Sequence, residues 1–320
     1  MSIKPILIIA GEPYSVFSEI LSKALKKYKS KRPLVIIGSL KLLEKQIKFL
    51  KYKISFNLIN KNFKIKDLKK KKLNLIDVDF KFKNIFDIIS DASSSYNYEC
   101  FKIACNLMKT KKFIGLINGP ISKKYFLKKK FLGITEFLAK KTGTRKFGML
   151  IFNKKFSVSP LTTHLPLKNV PKNITKKKII NHVQLIKKFY KKYLIKNPKI
   201  AITGLNPHCE SNLISNEEDK IIKPALKYLK KKYKYIYGPY PADSLFMKEN
   251  IKNFDVVIGM YHDQVLTPIK TIYNFDAINI TLGLPFLRIS PDHGPNNQMI
   301  GKNKSNPQSL VSAIKFLNSK

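Results

Sequence analysis

The sequence predicts an α/β protein built on a mostly parallel sheet with flanking helices, arranged in two lobes. Three observations predict it. Short, continuous β-branched runs alternate with stretches of helical period. The runs end in turn signals such as Gly11-Glu12-Pro13, Gly38-Ser39 and Asn118-Gly119-Pro120. No internal repeat and no long flexible linker divides the 320 residues, so two lobes sharing one cleft fit better than beads on a string.

The elements follow in order. Ile6 to Ala10 reads as a buried strand. Val16 to Tyr28 follows a helical period, with Phe17, Ile20, Leu21 and Leu25 on one face. Leu34 to Ile37 is a second strand and Leu40 to Leu50 a second helix. This βαβ grammar implies parallel strands with right-handed crossovers. Residues 60 to 88 are lysine-rich and weakly patterned. Asn97 to Lys109 reads as a helix with Phe101, Cys105 and Met108 inward. Phe113 to Ile117 is a strand, and Ser122 is placed to cap a short helix after it.

Near Phe131 the rhythm changes, which sets a first lobe of 1–130 plus 302–320 and a second of 131–301. Thr135 to Lys141 is a short helix. Phe147 to Phe152 and Ser157 to Leu161 read as adjacent strands. Lys176 to Tyr193 is a long amphipathic helix, and His182 within it reads as ordinary surface. Ile200 to Thr203 is a strand, Glu217 to Lys230 a helix, and Phe254 to Met260 a buried strand. A further apolar run, Ala277 to Leu282, leads to Arg288, and Pro307 to Phe316 is a helix returning to the first lobe.

Composition narrows the class. No apolar run is long enough to span a membrane. The N-terminal apolar stretch lacks a small-residue cleavage site and reads as a strand, not a signal peptide. Cys100, Cys105 and Cys209 form no CxxC pair and suit a reducing cytoplasm. The net charge of +42 raises the rival reading of a basic nucleic-acid-binding protein. The lysines, however, are spread over nearly every helix and loop, as at Lys26-Lys27, 69–72, 128–130 and 230–232. With abundant Asn and Ile, this looks like codon bias with lysine as the default solvent-facing residue, and no specific nucleic acid is expected.

The chemistry gathers between Phe254 and Gly301, which holds His262, Asp263, Lys270, Asn279, Arg288, Asp292 and His293 between short apolar runs. Ligands in α/β proteins bind past the C-terminal ends of strands. Of five histidines, His164, His208 and His262 follow predicted strands, in loops that should meet at one rim. Three protein ligands with open positions make a catalytic divalent site. Alternatively, they are separate loop histidines held by backbone hydrogen bonds. Asp263 would orient a ring or act as a base, and His293 is a further ligand, an orienting residue or simply the start of a turn. Cys209 reads as a semi-buried thiol. Where a generic charge would do, this chain writes lysine; its three arginines are Arg32, Arg145 and Arg288. Arg288, with its neighbours, suggests a bidentate grip on carboxylate or phosphate; Arg32 does not. Asn118 to Lys123 offers backbone N–H groups and a lysine to an anion, but neither a P-loop nor GxGxxG is present.

At these residues the chain resembles a known family. NGPISK (118–123), TEFLA (135–139), TTHLPL (162–167), GLNPH (204–208), GPYPADSLF (238–246), MYHDQ (260–264), NITLGLPFLR (279–288) and DHG (292–294), in this order, resemble the 4-hydroxythreonine-4-phosphate dehydrogenase family of pyridoxal phosphate biosynthesis. The resemblance implies a homodimer of two-lobed subunits, similar in fold to isocitrate and isopropylmalate dehydrogenases, with the active site in the interdomain cleft and shared across the dimer. It implies one divalent metal (Zn, Mg or Co) on His164, His208 and His262, and substrate binding by Thr135, Lys270, Asn279 and Arg288. Asp243 and Asp263 match acidic residues near the metal and, with Lys270, are the catalytic candidates. The implied reaction oxidises the secondary alcohol of 4-phosphohydroxy-L-threonine with NAD or NADP, and the β-keto acid loses carbon dioxide. The nucleotide-binding residues are not legible. The alternatives are a related dehydrogenase acting on another phosphorylated or carboxylated hydroxy acid, and an inactive homologue kept as a scaffold.

Four stretches depart from the family pattern. Ile134 stands where a histidine usually precedes the threonine at 135. Tyr14 to Ser18, Cys209 to Leu213 and Pro295 to Gln298 replace stretches rich in glycine or other small residues.

Overall fold

The computed structural model describes residues 3–127, 130–210, 216–273, 277–291 and 294–320. The described residues form twelve strands: β1 (Ile6–Ile9), β2 (Leu34–Gly38), β3 (Phe56–Leu58), β4 (Leu73–Asp77), β5 (Gly115–Asn118), β6 (Gly148–Phe152), β7 (Ser157–Pro160), β8 (Ile200–Thr203), β9 (Ile236–Tyr240), β10 (Val256–Gly259), β11 (Ile278–Leu282) and β12 (Arg288–Pro291). The expected α/β class, with mostly parallel strands and flanking helices, is what the structure has.

The chain divides into two compact units, 1–142 with 285–320, and 143–284. In the first, strands run β3-β4-β2-β1-β5-β12, all parallel. β1 is Ile-Leu-Ile-Ile, fully buried, because helices cover a parallel sheet on both faces. Helix Phe17–Lys27 turns Phe17, Ile20, Leu21 and Ala24 inward. Helix Leu40–Phe49 starts at Ser39, whose hydroxyl accepts the Leu42 N–H at 3.4 Å. Helix Gln308–Asn318 belongs to this unit. Arg32 holds it: Nε donates to the Leu317 carbonyl at 3.2 Å and an η nitrogen to that of Lys4 at 3.1 Å. The arginine fork here serves structure.

The second unit has strands in the order β11-β6-β7-β10-β8-β9. β6 runs antiparallel to β11 and β7, while β7, β10, β8 and β9 are parallel neighbours. Its core joins Met149, Ile151 and Val158 to Val257, Val265 and Ile269.

The unit boundaries lie at 142/143 and 284/285 rather than 130/131 and 301/302. Two contacts explain this. Phe137 of helix Ile134–Lys141 packs on Phe101 and Phe126, with ring centroids 5.5 and 5.1 Å apart. β12 pairs parallel with β5, Arg288 opposite Leu116. Thr135 and Arg288 therefore belong to the first unit.

Other expectations need correction. The weakly patterned 60–88 region contains β4, and its organiser is polar: buried Asn74 donates to the Leu34 and Lys69 carbonyls and accepts from Asn57 and Lys69. The third long helix spans Ala92–Lys109, five residues longer than expected, and Cys105 is only half-buried. His182 is not surface. It is 4% exposed, and its Nε2 lies 2.6 Å from Ser159 Oγ. Ser159 Oγ also lies 2.5 Å from the Met149 carbonyl, to which it donates. The ring is therefore the donor to the serine, as the neutral Nε2–H tautomer.

Gly11 and Gly119 let β1 and β5 end against each other. A Cβ on Gly119 would lie 2.2 Å from the Ala10 carbonyl oxygen and 2.8 Å from Phe17. Gly119→Ala is expected to destabilise the chain by ~2 kcal/mol, in the range of overpacked cores. Urea unfolding checks this; an unchanged midpoint would mean that the backbone yields freely there.

Candidate active site

The sheet order brings the three histidine-bearing ends together. β7, β10 and β8 are adjacent and parallel, so their C-terminal ends share one edge. His164 follows β7, His262 follows β10 and His208 follows β8. The His164 and His262 rings are 5.7 Å apart at an interplanar angle of 37°. His262 Nδ1 is 2.7 Å from Asp263 Oδ1. That contact orients the ring and directs Nε2 away, as carboxylates do for metal-binding imidazoles. His262 does not lie in a loop; it opens the helix His262–Tyr273. Asp263 and Lys270, seven residues apart, share a face of that helix and are exposed.

The other two histidines adopt backbone conformations that few residues accept. His164 has φ 50°, His208 φ 56° and Cys209 φ 58°. Left-handed non-glycine residues cluster at functional sites. Among the described residues, no three His, Cys, Asp or Glu side chains converge closely enough to enclose an ion. The pair His164–His262 is assembled, and His208 stands on the adjoining strand's loop. Two neighbouring imidazoles, one oriented by a carboxylate, are a donor set suited to a divalent cation.

Cys209 is buried, as the sequence implied in part. Burial raises its thiol, and the Glu218 and Asp243 carboxylates add to this. Asp243 therefore stands within electrostatic reach of the residue after His208. Its own carboxylate accepts the Ser244 N–H at 2.7 Å. Asn279 on β11 donates to Met149 Sδ at 3.4 Å, while its buried side-chain oxygen has no hydrogen-bond partner. A buried acceptor left open is a place for a ligand donor.

In the first unit Arg288 is 3% exposed, and its Nε donates to Asn118 Oδ1 at 2.6 Å. Burial pushes the guanidinium down to about 10, partly offset by Glu136. Asn118 is the last residue of β5, and its side-chain oxygen aims the arginine; that role was not read from the sequence. Thr135 and Glu136 are neighbours on helix Ile134–Lys141, and Ile134 is buried at its start. Asp292, His293 and Ser211 to Leu213 lie outside the described residues.

Residues 29–317 match the family model described as pyridoxal phosphate biosynthetic protein PdxA. The chain belongs to this family. A 4-hydroxythreonine-4-phosphate dehydrogenase of Sulfurihydrogenibium sp. is 40% identical over 317 residues, 97% of this chain and 96% of that protein. A D-threonate 4-phosphate dehydrogenase of Pectobacterium atrosepticum is 31% identical, over 72% of this chain and 71% of that one. The crystal structure of 4-hydroxythreonine-4-phosphate dehydrogenase from Klebsiella pneumoniae superposes with a TM-score of 0.85 at 25% identity, covering 99% of this chain and 100% of that one. The expected family is thus the observed one. The described residues contain no helix long and apolar enough to cross a membrane.

Proposed function

We propose that this chain oxidises the secondary alcohol of 4-phosphohydroxy-L-threonine with NAD or NADP, giving 2-amino-3-oxo-4-phosphooxybutanoate, which decarboxylates to 3-amino-2-oxopropyl phosphate. Membership of the family carries the reaction class. The observation that carries the site is the His164–His262 pair with its Asp263-held ring. His164, His208 and His262 would hold one divalent ion (Zn, Mg or Co). Such an ion would supply Lewis acidity and a bound nicotinamide would supply the hydride acceptor.

The chain's own groups do the rest. Asp263 fixes the His262 tautomer. Lys270 and Asp243 are the candidates to move the hydroxyl proton. Arg288, aimed by Asn118, binds an anionic end of the substrate, and a lysine there would lack the planar fork. The open oxygen of Asn279 accepts from the substrate, and Thr135 adds a hydroxyl contact. A cytoplasmic homodimer with a shared site completes the reading.

A second substrate has specific support. Ile134 cannot donate to a phosphate, and one relative is a D-threonate 4-phosphate dehydrogenase. The purified chain should therefore be given both substrates, with NAD and with NADP, and absorbance at 340 nm followed. Faster reduction with 4-phosphohydroxy-L-threonine is the expected result. Turnover of D-threonate 4-phosphate alone would move the chain to the second reading, and turnover of neither would sink both.

A further inference from the structure

Hydrogen bonds among the three histidine-bearing strand ends run through two residues, Met260 and Gln264. The Met260 N–H donates to Gln264 Oε1 at 2.7 Å. Its carbonyl accepts from Thr162 twice, from Oγ1 at 2.7 Å and from N–H at 3.2 Å. Thr162 stands two residues before His164, and Gln264 two residues after His262. Gln264 then reaches the third strand. Its Nε2 donates to the Gly204 carbonyl at 2.8 Å, and its Oε1 accepts from Thr203 Oγ1 at 2.8 Å. Gly204 opens the loop that ends in His208.

The far side of that loop is held as well. Glu218 Oε1 accepts the N–H groups of Leu205 and Asn206 at 2.7 and 2.9 Å, and Oε2 accepts from Asn206 Nδ2 at 2.8 Å. There is no slack at its root: a Cβ on Gly204 would lie 2.7 Å from Cys209 Sγ and 3.1 Å from Glu218 Oε1. Two successive left-handed residues, His208 and Cys209, persist only if their surroundings over-determine them. Cys209 is buried, but residues 205–208 are half-buried or exposed, so apolar packing alone does not hold the loop up to His208. The polar clamps do.

We infer that Gln264 is a positioning residue for the histidine trio, locking the His208 loop to the strand end that carries His262, while Thr162 ties the His164 strand end to the same anchor, Met260. The inference rests on the metal reading proposed above. The amide suits the task because one end accepts two donors while the other donates. Glutamate would keep the acceptor contacts to Met260 and Thr203 but turn a second oxygen toward the Gly204 carbonyl. Leucine would keep the volume and lose all three contacts.

The test uses the full-length chain, Gln264→Leu, Gln264→Glu and cobalt(II) as the probe, read by its d–d absorption bands and by calorimetric titration. Wild type should take up one cobalt(II) per chain. Gln264→Leu should bind it 10- to 100-fold more weakly, as when outer-sphere partners of a metal site are removed, and with shifted bands. Gln264→Glu should fall between. Far-UV circular dichroism shows that the variants are folded; should the leucine variant fail to fold, the glutamate variant decides. Wild-type affinity and bands in folded variants would overturn the inference. Failure of wild type itself to take up cobalt(II) would instead remove the metal reading beneath it.

Discussion

Replacing His208 by alanine is expected to abolish stoichiometric binding of the divalent ion and to lower kcat/KM by at least ~100-fold, beyond what losing an outer-sphere partner costs. With the three imidazoles past the ends of adjacent parallel strands as the proposed ligands, removing His208 leaves the His164–His262 pair, whose rings stand 5.7 Å apart. The fold should survive, because the His208 side chain is exposed. The backbone is the one complication, since φ at 208 is 56° and alanine resists that region. His208→Asn is the companion variant, because asparagine tolerates left-handed geometry better. Treatment of wild type with a chelator should reproduce the loss, and returning the ion should reverse it. Undiminished turnover in both variants and after chelation would show that His208 is an ordinary loop residue and that the reaction needs no ion.

How far these features could be read in advance depended on which force specifies each element. β1, β2 and β10 were legible because buried parallel strands are written as continuous Ile, Leu and Val, and β8 because its short run, Ile-Ala-Ile-Thr, opens onto the turn signal Gly204-Leu205-Asn206-Pro207. β4 was not, because Asn74 organises it through four hydrogen bonds and polar satisfaction leaves no period. The first turn of helix Ala92–Lys109 holds three serines in a row, residues that favour turns and caps over helix interiors. Helix His262–Tyr273 was hidden by Pro268 inside it. The burial of His182 does have a signal in the sequence: Ile179, His182, Ile186 and Phe189 fall three or four residues apart, on the inward face. In the site, the strand-end rule placed the histidines. The partners that aim side chains, Asn118, Glu218 and Gln264, depend on contacts 170, 12 to 13 and 60 residues away along the chain, beyond any local pattern.

The stability of the chain should carry two opposed pH dependences, and single variants should separate them. Glu12, in the first unit, is 1% exposed; Asn97 donates to one carboxylate oxygen at 3.2 Å, and the other has no hydrogen-bond partner. Burial raises its pKa to about 7 against an ordinary 4.5. The folded state therefore holds this proton more tightly than the unfolded state, and the stability it contributes is lost as pH rises from 4.5 to about 7. His182, in the second unit, runs the other way. Burial lowers its pKa to about 4 from an ordinary 6.5, so the unfolded state takes the proton first and stability is lost as pH falls from 6.5 to about 4. At ~1.4 kcal/mol per unit, each shift is worth up to ~3 kcal/mol across its window. The two windows overlap and the slopes cancel there. Glu12→Gln should leave a profile that rises from pH 4 to 6.5, and His182→Gln, which still donates to Ser159, one that falls from pH 4.5 to 7. Because the groups sit in different units, hydrogen exchange resolved by residue is the measurement of choice: each variant should change the pH dependence of its own unit. A Glu12→Gln chain with the wild-type pH profile in residues 1–142 would mean that Glu12 is not buried as a neutral acid; the same outcome for His182→Gln in 143–284 would mean that the ring is solvated.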